Sequence, residues 1–150
     1  LSRKTKKSNR WRKQVKVVAR RHERIGNRRK DFLHKLSRKY MNENDVIVVE
    51  DLNVVGMIRN HHLARSIQDA SWNMFRQMLT YKAESAGRKL IAVPAYYTSQ
   101  KCSQCGEYVE KSLSVRTHIC PQCGYMNDRD VNAARNILKR GLDEAIVECP

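Results

Sequence analysis

The sequence predicts an α/β fold carrying a long basic amino-terminal helix and an inserted four-cysteine zinc ribbon. Three observations lead there: apolar residues at helical spacing through the first 40 positions, a β-branched run Val46-Ile47-Val48-Val49, and two Cys-x-x-Cys-Gly turns at Cys102–Gly106 and Cys120–Gly124. At 150 residues the chain is long enough for one domain with a core, and no stretch approaches the roughly 20 apolar residues of a membrane span, so a soluble protein is expected.

Trp11, Val15, Val18, His22, Ile25, Phe32 and Leu36 form a narrow stripe on a helix of roughly Asn9 to Tyr40, with Gly26-Asn27 as a weak point. The stripe is expected to pack on a protein core. The chain carries 30 Lys+Arg against 15 Asp+Glu, a net +15, and the excess is not evenly spread. Leu1 to Tyr40 hold 17 basic residues with Glu23 and Asp31 as the only acids, which leaves 13 of each sign beyond Tyr40. A charge run can be a solvated face, or lie on an anionic membrane, but an apolar stripe suited to a core argues against the membrane. The expected partner is a polyanion, with Arg10, Arg12, Lys13, Lys16, Arg20, Arg21, Arg24 and Arg28 tracking phosphates.

The run Asp45–Glu50 reads as a strand buried on both faces, with Glu50 at its carboxyl end, where catalytic groups of open α/β sheets collect. Leu52 to Ser66 reads as a loop containing Arg59, His61, His62 and Arg65. A helix follows over Ile67–Ala86, its inner face Ile67, Ala70, Met74, Met78 and Tyr81, and Gly87 closes it. Lys89–Val93 is a short strand ended by Pro94, and a last helix spans about Asp130 to Arg140 with Gly141 as its stop.

Between that strand and the last helix, Cys102, Cys105, Cys120 and Cys123 have the spacing of one tetrahedral site, with Gly106 to Ile119 long enough for a hairpin that joins the two turns. Two disulfides are disfavoured, because the composition is intracellular in character and the sequence shows no apolar leader. Spacing alone does not separate zinc from rubredoxin-type iron. Cys149 is left over as an ordinary thiol, and His118 is expected on the hairpin surface rather than as a ligand. Asp128 and Asp130 stand where helix caps are common. Asp51 should point away from Glu50, as a loop hydrogen-bonder.

Several segments resemble the insertion-sequence OrfB/TnpB proteins, relatives of the type V CRISPR effectors. They are Ile47–Met57, Ser71-Trp72 with Phe75, Tyr81–Ala83, Thr98–Gly106 and Asp128–Ile137, and the likeness covers nearly the whole chain. It implies a RuvC-like (RNase H-like) domain and an RNA-guided, Mg²⁺- or Mn²⁺-dependent DNA endonuclease of a mobile element, with DNA and a guide RNA as partners and a cytoplasmic, nucleoid-associated location. It further implies Glu50 and Asp130 as catalytic acids, Asp128 and Asp51 in support behind them, and the four cysteines as a structural zinc insertion. The implied organisation is a basic helical region over 1–44, a first part of the core over 45–97, the ribbon over 98–126 and a second part of the core over 127–150.

One departure shapes the expectation. RuvC-like nucleases take a first catalytic Asp from an early strand in an Asp-x-Gly context, and none precedes Glu50. The chain is therefore expected to be the carboxyl-terminal portion of a longer protein, or a truncated reading frame. It would lack the guide-binding region, be inactive alone, and have the remaining amino-terminal part as a partner. Two other classes stay open: a non-catalytic zinc-ribbon module that binds nucleic acid, and a DNA-joining transposase. Against the second, Tyr96-Tyr97 sit in a strand-to-ribbon link and His61-His62 lack His-x-His spacing. Tyr96, Tyr97 and Trp11 could instead stack on bases.

Overall fold

The elements run α1 (Asn9–Glu43), β1 (Val46–Asp51), α2 (Val54–Ile58), α3 (His61–Ala70), α4 (Trp72–Ala86), β2 (Lys89–Pro94), β3 (Thr117–Ile119), β4 (Met126–Asp128) and α5 (Arg129–Val147). This computed structural model describes residues 1–112 and 114–147, with the backbone alone at 63, 65, 67–69, 146 and 147. Cys149 lies outside the described residues.

Ser8 starts α1: its Oγ accepts a hydrogen bond from the Trp11 backbone N–H at 3.2 Å. The helix continues without a break through Gly26-Asn27 for 35 residues, a length of about 52 Å. Its buried residues are Leu33, Ser37 and Met41, one per turn, which face Met78, Leu79, Lys82 and Ala83 of α4. The 15 residues of α4 extend only about 22 Å, so they cover the end of α1 and leave the rest projecting. Most of the expected core stripe is consequently uncovered. Ile25 and Phe32 are 54 % and 61 % exposed, His22 is exposed, and Trp11, Val15, Val18 and Leu36 are half-buried.

β1 and β2 pair in parallel, Val46 opposite Lys89 through Asp51 opposite Pro94, with α2, α3 and α4 as the crossover. Side chains alternate between two faces of this sheet. Ile47 and Val49 point with Leu90 into the core built by Met41, Phe75, Leu79 and Ala83. Val48 points the other way, onto α5 at Gly141. The β1 run was expected to be buried on both faces, yet it is half-buried along Val46–Glu50, because a two-stranded sheet gives it one paired edge.

The crossover departs from the sequence reading. Leu52 to Ser66 is not a loop: Asn53 accepts from the Gly56 N–H at 2.9 Å and starts the short α2, and α3 follows. The helix expected over 67–86 breaks at Ser71, whose φ of 53° is left-handed. That break resets the helical phase. Met78 is buried as expected, but Met74 and Tyr81 are 38 % and 44 % exposed, and the inner face is Phe75, Met78, Leu79, Lys82 and Ala83. The last helix also passes Gly141 rather than stopping there. A Cβ at that position would stand 2.5 Å from both methyls of Val48, so the glycine lets the helix lie close on the sheet, and this packing offsets the roughly 1 kcal/mol that Gly costs inside a helix.

Lys82 is buried, donating to the His34 carbonyl at 2.7 Å and to Ser37 Oγ at 2.6 Å, and among the described residues it has no carboxylate salt-bridge partner. Burial, reinforced by Arg38, holds its pKa below the usual lysine value.

Gly141→Ala should lower stability by about 1–3 kcal/mol in thermal melts, and Val48→Ala in the same chain should return part of the loss. For Lys82, the unfolded chain binds its proton more tightly than the folded one, so stability should rise as the pH climbs from the depressed folded pKa towards 10.5. Comparing melts of the native chain and Lys82→Met across that window isolates the effect: the difference between them should grow in favour of the native chain as the pH rises.

Candidate metal centre and acidic site

Each Cys-x-x-Cys turn is closed by the same backbone pattern. Gly106 N–H donates to the Cys102 carbonyl (2.9 Å) and Cys102 N–H to the Glu107 carbonyl (2.8 Å), while Gly124 donates to Cys120 (3.0 Å) and Cys120 to Tyr125 (2.9 Å). Both glycines have positive φ, 81° and 71°, which only glycine adopts without strain. Among the described residues, the hairpin expected between the two turns is not seen. Instead, a bridge between Lys101 and Tyr108 carries the first turn, and β3 and β4 pair antiparallel on either side of the second. Each turn therefore sits at the tip of its own pairing, which stiffens both ligand pairs independently.

The four sulfurs converge. Cys102 and Cys123 Sγ atoms are 3.7 Å apart, Cys105 and Cys120 3.5 Å, and all four lie within 4.8 Å of one another. Sulfurs at about 2.3 Å from a tetrahedral centre are separated by about 3.8 Å, so the cluster has the dimensions of one tetrathiolate metal site. Among the described residues it is the one group of three or more Cys, His, Asp or Glu side chains so arranged. The backbone N–H of Cys123 draws the Cys120 thiol down to about 7. At Cys105 the Glu107 backbone N–H pulls the same way, but desolvation and the neighbouring sulfurs of Cys123, Cys120 and Cys102 outweigh it and push that thiol up to about 12. Four thiols crowded this closely are a poor arrangement for protons and a good one for a soft cation.

His118 was expected on the hairpin surface and is fully buried instead. On a three-residue strand lying against α5 its side faces inward, where it hydrogen-bonds Lys111 Nζ through Nδ1. It is no member of the sulfur cluster.

α5 fastens the root of the ribbon. Asn132, fully buried, accepts from the Ser103 N–H (2.9 Å) and donates to the Lys101 carbonyl (2.7 Å), while Asn136 donates to the carbonyls of Thr98 and Lys101 at 2.8 Å each. Thr98 in turn donates its hydroxyl proton to Glu50 Oε1 at 2.6 Å. Glu50 shares the sheet face of Val48, so it looks towards α5. Asp51 faces the opposite side and pairs with Arg76 of α4. A continuous chain thus runs from the acid at the end of β1, through the ribbon root, to α5. Thr98, Asn132 and Asn136 were not singled out from sequence, although two asparagines four apart inside a helix are a signal, since Asn is unfavourable there unless its amide is tied to something.

At the start of α5, Asp128 Oδ1 accepts from the N–H groups of Asp130 (2.7 Å) and Val131 (3.2 Å) and so caps the helix. Asp130 is 73 % exposed, with Arg116 and Arg129 each 3.8 Å away. Such exposed pairs are weak. Among the described residues, neither Glu50 nor Asp130 belongs to a group of three or more His, Cys, Asp or Glu side chains placed to hold a metal ion. Arg10, Arg12, Lys13, Lys16, Arg20, Arg21, Arg24 and Arg28 are all exposed along α1. Its first turn is basic and has no acid, opposite to the charge that a helix amino terminus favours. Among the described residues, no helix is long and apolar enough to cross a membrane.

Two family models match consecutive parts of the chain: "Probable transposase" over residues 1–61, and "Cas12f1-like, TNB domain" over residues 72–137. A protein of Streptomyces pristinaespiralis named as an RNA-guided DNA endonuclease is 48 % identical over 95 % of this chain and 36 % of its own length. The similarly named InsQ of Escherichia coli is 39 % identical over 99 % of this chain and 40 % of that protein. The chain belongs to the OrfB/TnpB family. The chain is also similar to the CRISPR-associated endodeoxyribonuclease Cas12f1 of Sulfoacidibacillus thermotolerans, 33 % identical over 91 % of the chain and 33 % of that protein. A chain in a cryo-EM structure of a Cas12f1–sgRNA–target DNA complex shares the fold, with a TM-score of 0.55 at 19 % identity over 87 % of this chain and 41 % of the other. The TnpB-type chain described here thus spans about two fifths or less of the relatives it matches.

Titration of cobalt(II) or zinc into the reduced, metal-free chain should saturate at about one ion, with tetrahedral thiolate absorbance for cobalt. Because the ion displaces protons, affinity should fall as the pH is lowered, and fewer protons should be released once the pH passes about 7 and Cys120 is already ionised. Cys102→Ser should abolish saturable binding; an unchanged stoichiometry would contradict the four-sulfur site.

Proposed function

We propose that the chain is part of an RNA-guided, Mg²⁺- or Mn²⁺-dependent DNA endonuclease with a RuvC-like centre and a structural zinc ion. The observation that carries this reading is the placement of Glu50: it ends a strand of a parallel sheet, faces α5, and is held by Thr98 at the root of the four-cysteine ribbon. In the proposed organisation the basic helical region is 1–44, the core comprises 45–97 and 127–150, and the ribbon is 98–126. Zinc is the proposed ion because four thiolates at these separations suit a d¹⁰ cation that needs no further ligand.

Glu50 and Asp130 are the proposed catalytic acids. Carboxylates are the ligands that hard cations take, and such cations polarise a phosphodiester and its attacking water when bound. Asp130 is suited to this by its exposure and its loose partners. Asp128 keeps the first turn of α5 in place, and Asp51, tied to Arg76, fixes the strand end. The cationic faces of α1 are proposed to lie along guide RNA and target DNA, which also suggests a cytoplasmic, nucleoid-associated location.

A second reading applies to the chain taken by itself. With neither Glu50 nor Asp130 in a group of three or more such ligand side chains among the described residues, it is a nucleic-acid-binding module rather than a nuclease.

Both are tested by one experiment. Labelled single-stranded and duplex DNA are incubated with this chain, and with the whole protein and its guide RNA, in Mg²⁺ or Mn²⁺. The chain should bind without cutting and lose affinity by on the order of 10³-fold or more between 50 and 200 mM salt, as expected for six to ten phosphate contacts. The whole protein should cut, and Glu50→Gln or Asp130→Asn should remove nearly all of that activity. Undiminished cutting by Glu50→Gln would exclude the proposed centre.

A further inference from the structure

Three tyrosines make an exposed aromatic surface next to Thr98, the residue that hydrogen-bonds Glu50. Tyr96, Tyr97 and Tyr108 are 64 %, 53 % and 46 % exposed. Their rings meet edge to face, Tyr96 with Tyr97 at 5.9 Å and 81°, Tyr97 with Tyr108 at 5.5 Å and 82°. The Arg140 guanidinium lies 4.9 Å from the centroid of Tyr96, and its Nη1 is anchored on the Pro94 carbonyl at 2.7 Å. The surface is therefore assembled from the link after β2, the first cysteine turn and α5.

Its rings are positioned by the backbone rather than by burial. Tyr97 has a φ of 61°, a left-handed conformation that a bulky aromatic residue seldom occupies. Its carbonyl accepts from the N–H groups of Gln100 (3.1 Å) and Lys101 (3.0 Å), which makes the turn that brings its ring against Tyr108. Tyr108 is bridged to Lys101, and its hydroxyl donates to Gln100 Oε1 at 3.0 Å. The residue after Tyr97 is Thr98, the donor to Glu50. Aromatic area of this size ordinarily gains by leaving water. Here a strained turn keeps it in water, with the Arg140 cation beside it.

We infer that Tyr96, Tyr97 and Tyr108 form a base-stacking platform that takes single-stranded DNA and leads its backbone towards Glu50. Every base has a π face, so stacking on tyrosine is tolerant of sequence, and the neighbouring Arg140 cation suits a phosphate. A duplex hides those faces in its own stack, so the platform selects unpaired strand. This rests on the nuclease reading above and names what that site is fed.

The test is fluorescence anisotropy of the zinc-loaded chain with labelled oligothymidylate of about 20 nucleotides, an abasic strand of equal length, and a duplex. The base-bearing single strand should bind more tightly than the abasic one. Tyr96→Ala and Tyr108→Ala should each weaken it by about 5- to 150-fold while leaving the abasic strand unaffected, and Tyr96→Phe and Tyr108→Phe should keep native affinity. Tyr96 lies outside the cysteine turns, so its variants decide the matter should Tyr108→Ala lose metal. If Tyr96→Ala retains its metal and binds the base-bearing strand as the native chain does, the platform is overturned and the nuclease reading stands. If the native chain binds no nucleic acid, both fall.

Discussion

Four sulfurs brought within 4.8 Å of one another fix the position of almost everything around the acid. Neither cysteine turn has apolar bulk enough to fold alone, and the two short pairings that bear them are only three residues or a single bridge long. A shared ion would convert them into one rigid body, since binding free energy at such a site is folding free energy. Asn132 and Asn136 then fasten that body to α5, and Thr98, at its root, reaches Glu50. Geometry at the acid would thus be inherited from a metal site that does no chemistry itself.

The other constraint is electrostatic. The whole net charge of +15 falls within the first 40 residues, on a helix whose inner face meets α4 only along its last turns. Basic residues occupy even its first turn, against the helix dipole, at a cost of some tenths of a kcal/mol each. Local stability does not select such an arrangement, whereas the polyanion of the proposed function, laid along the helix, would. On the proposed function the two ends of the molecule would have separate physical tasks: α1 would supply attraction without sequence preference, and the sheet with its ribbon would supply position.

Much of this was legible in the sequence because it depends on local patterns. The long helix, both sheet strands, the cysteine quartet, and the opposite orientations of Glu50 and Asp51 follow from spacing and from the period of two along a strand. What was missed depends on contacts between distant residues. Gly141 looks like a helix stop until Val48 is seen against it, and Ser71 carries no local sign of its left-handed turn. The α1 stripe was read as core although α4 is too short to cover it, a mismatch of lengths that periodicity does not report. His118 shows the same limit, since burial of one residue on a three-residue strand is decided by α5, eleven residues or more away in sequence.

Backbone amide NMR spectra of the chain with zinc and after its removal by a chelator test the central claim most directly. The account predicts that losing the metal shifts or broadens Thr98, Asn132, Asn136 and also Glu50 and Asp51 at the end of β1, while Met41, Leu79 and Ala83 in the α1–α4 core stay where they were. Unchanged Glu50 and Asp51 resonances beside a collapsed ribbon would contradict it, because the acid would then owe its position to the sheet alone.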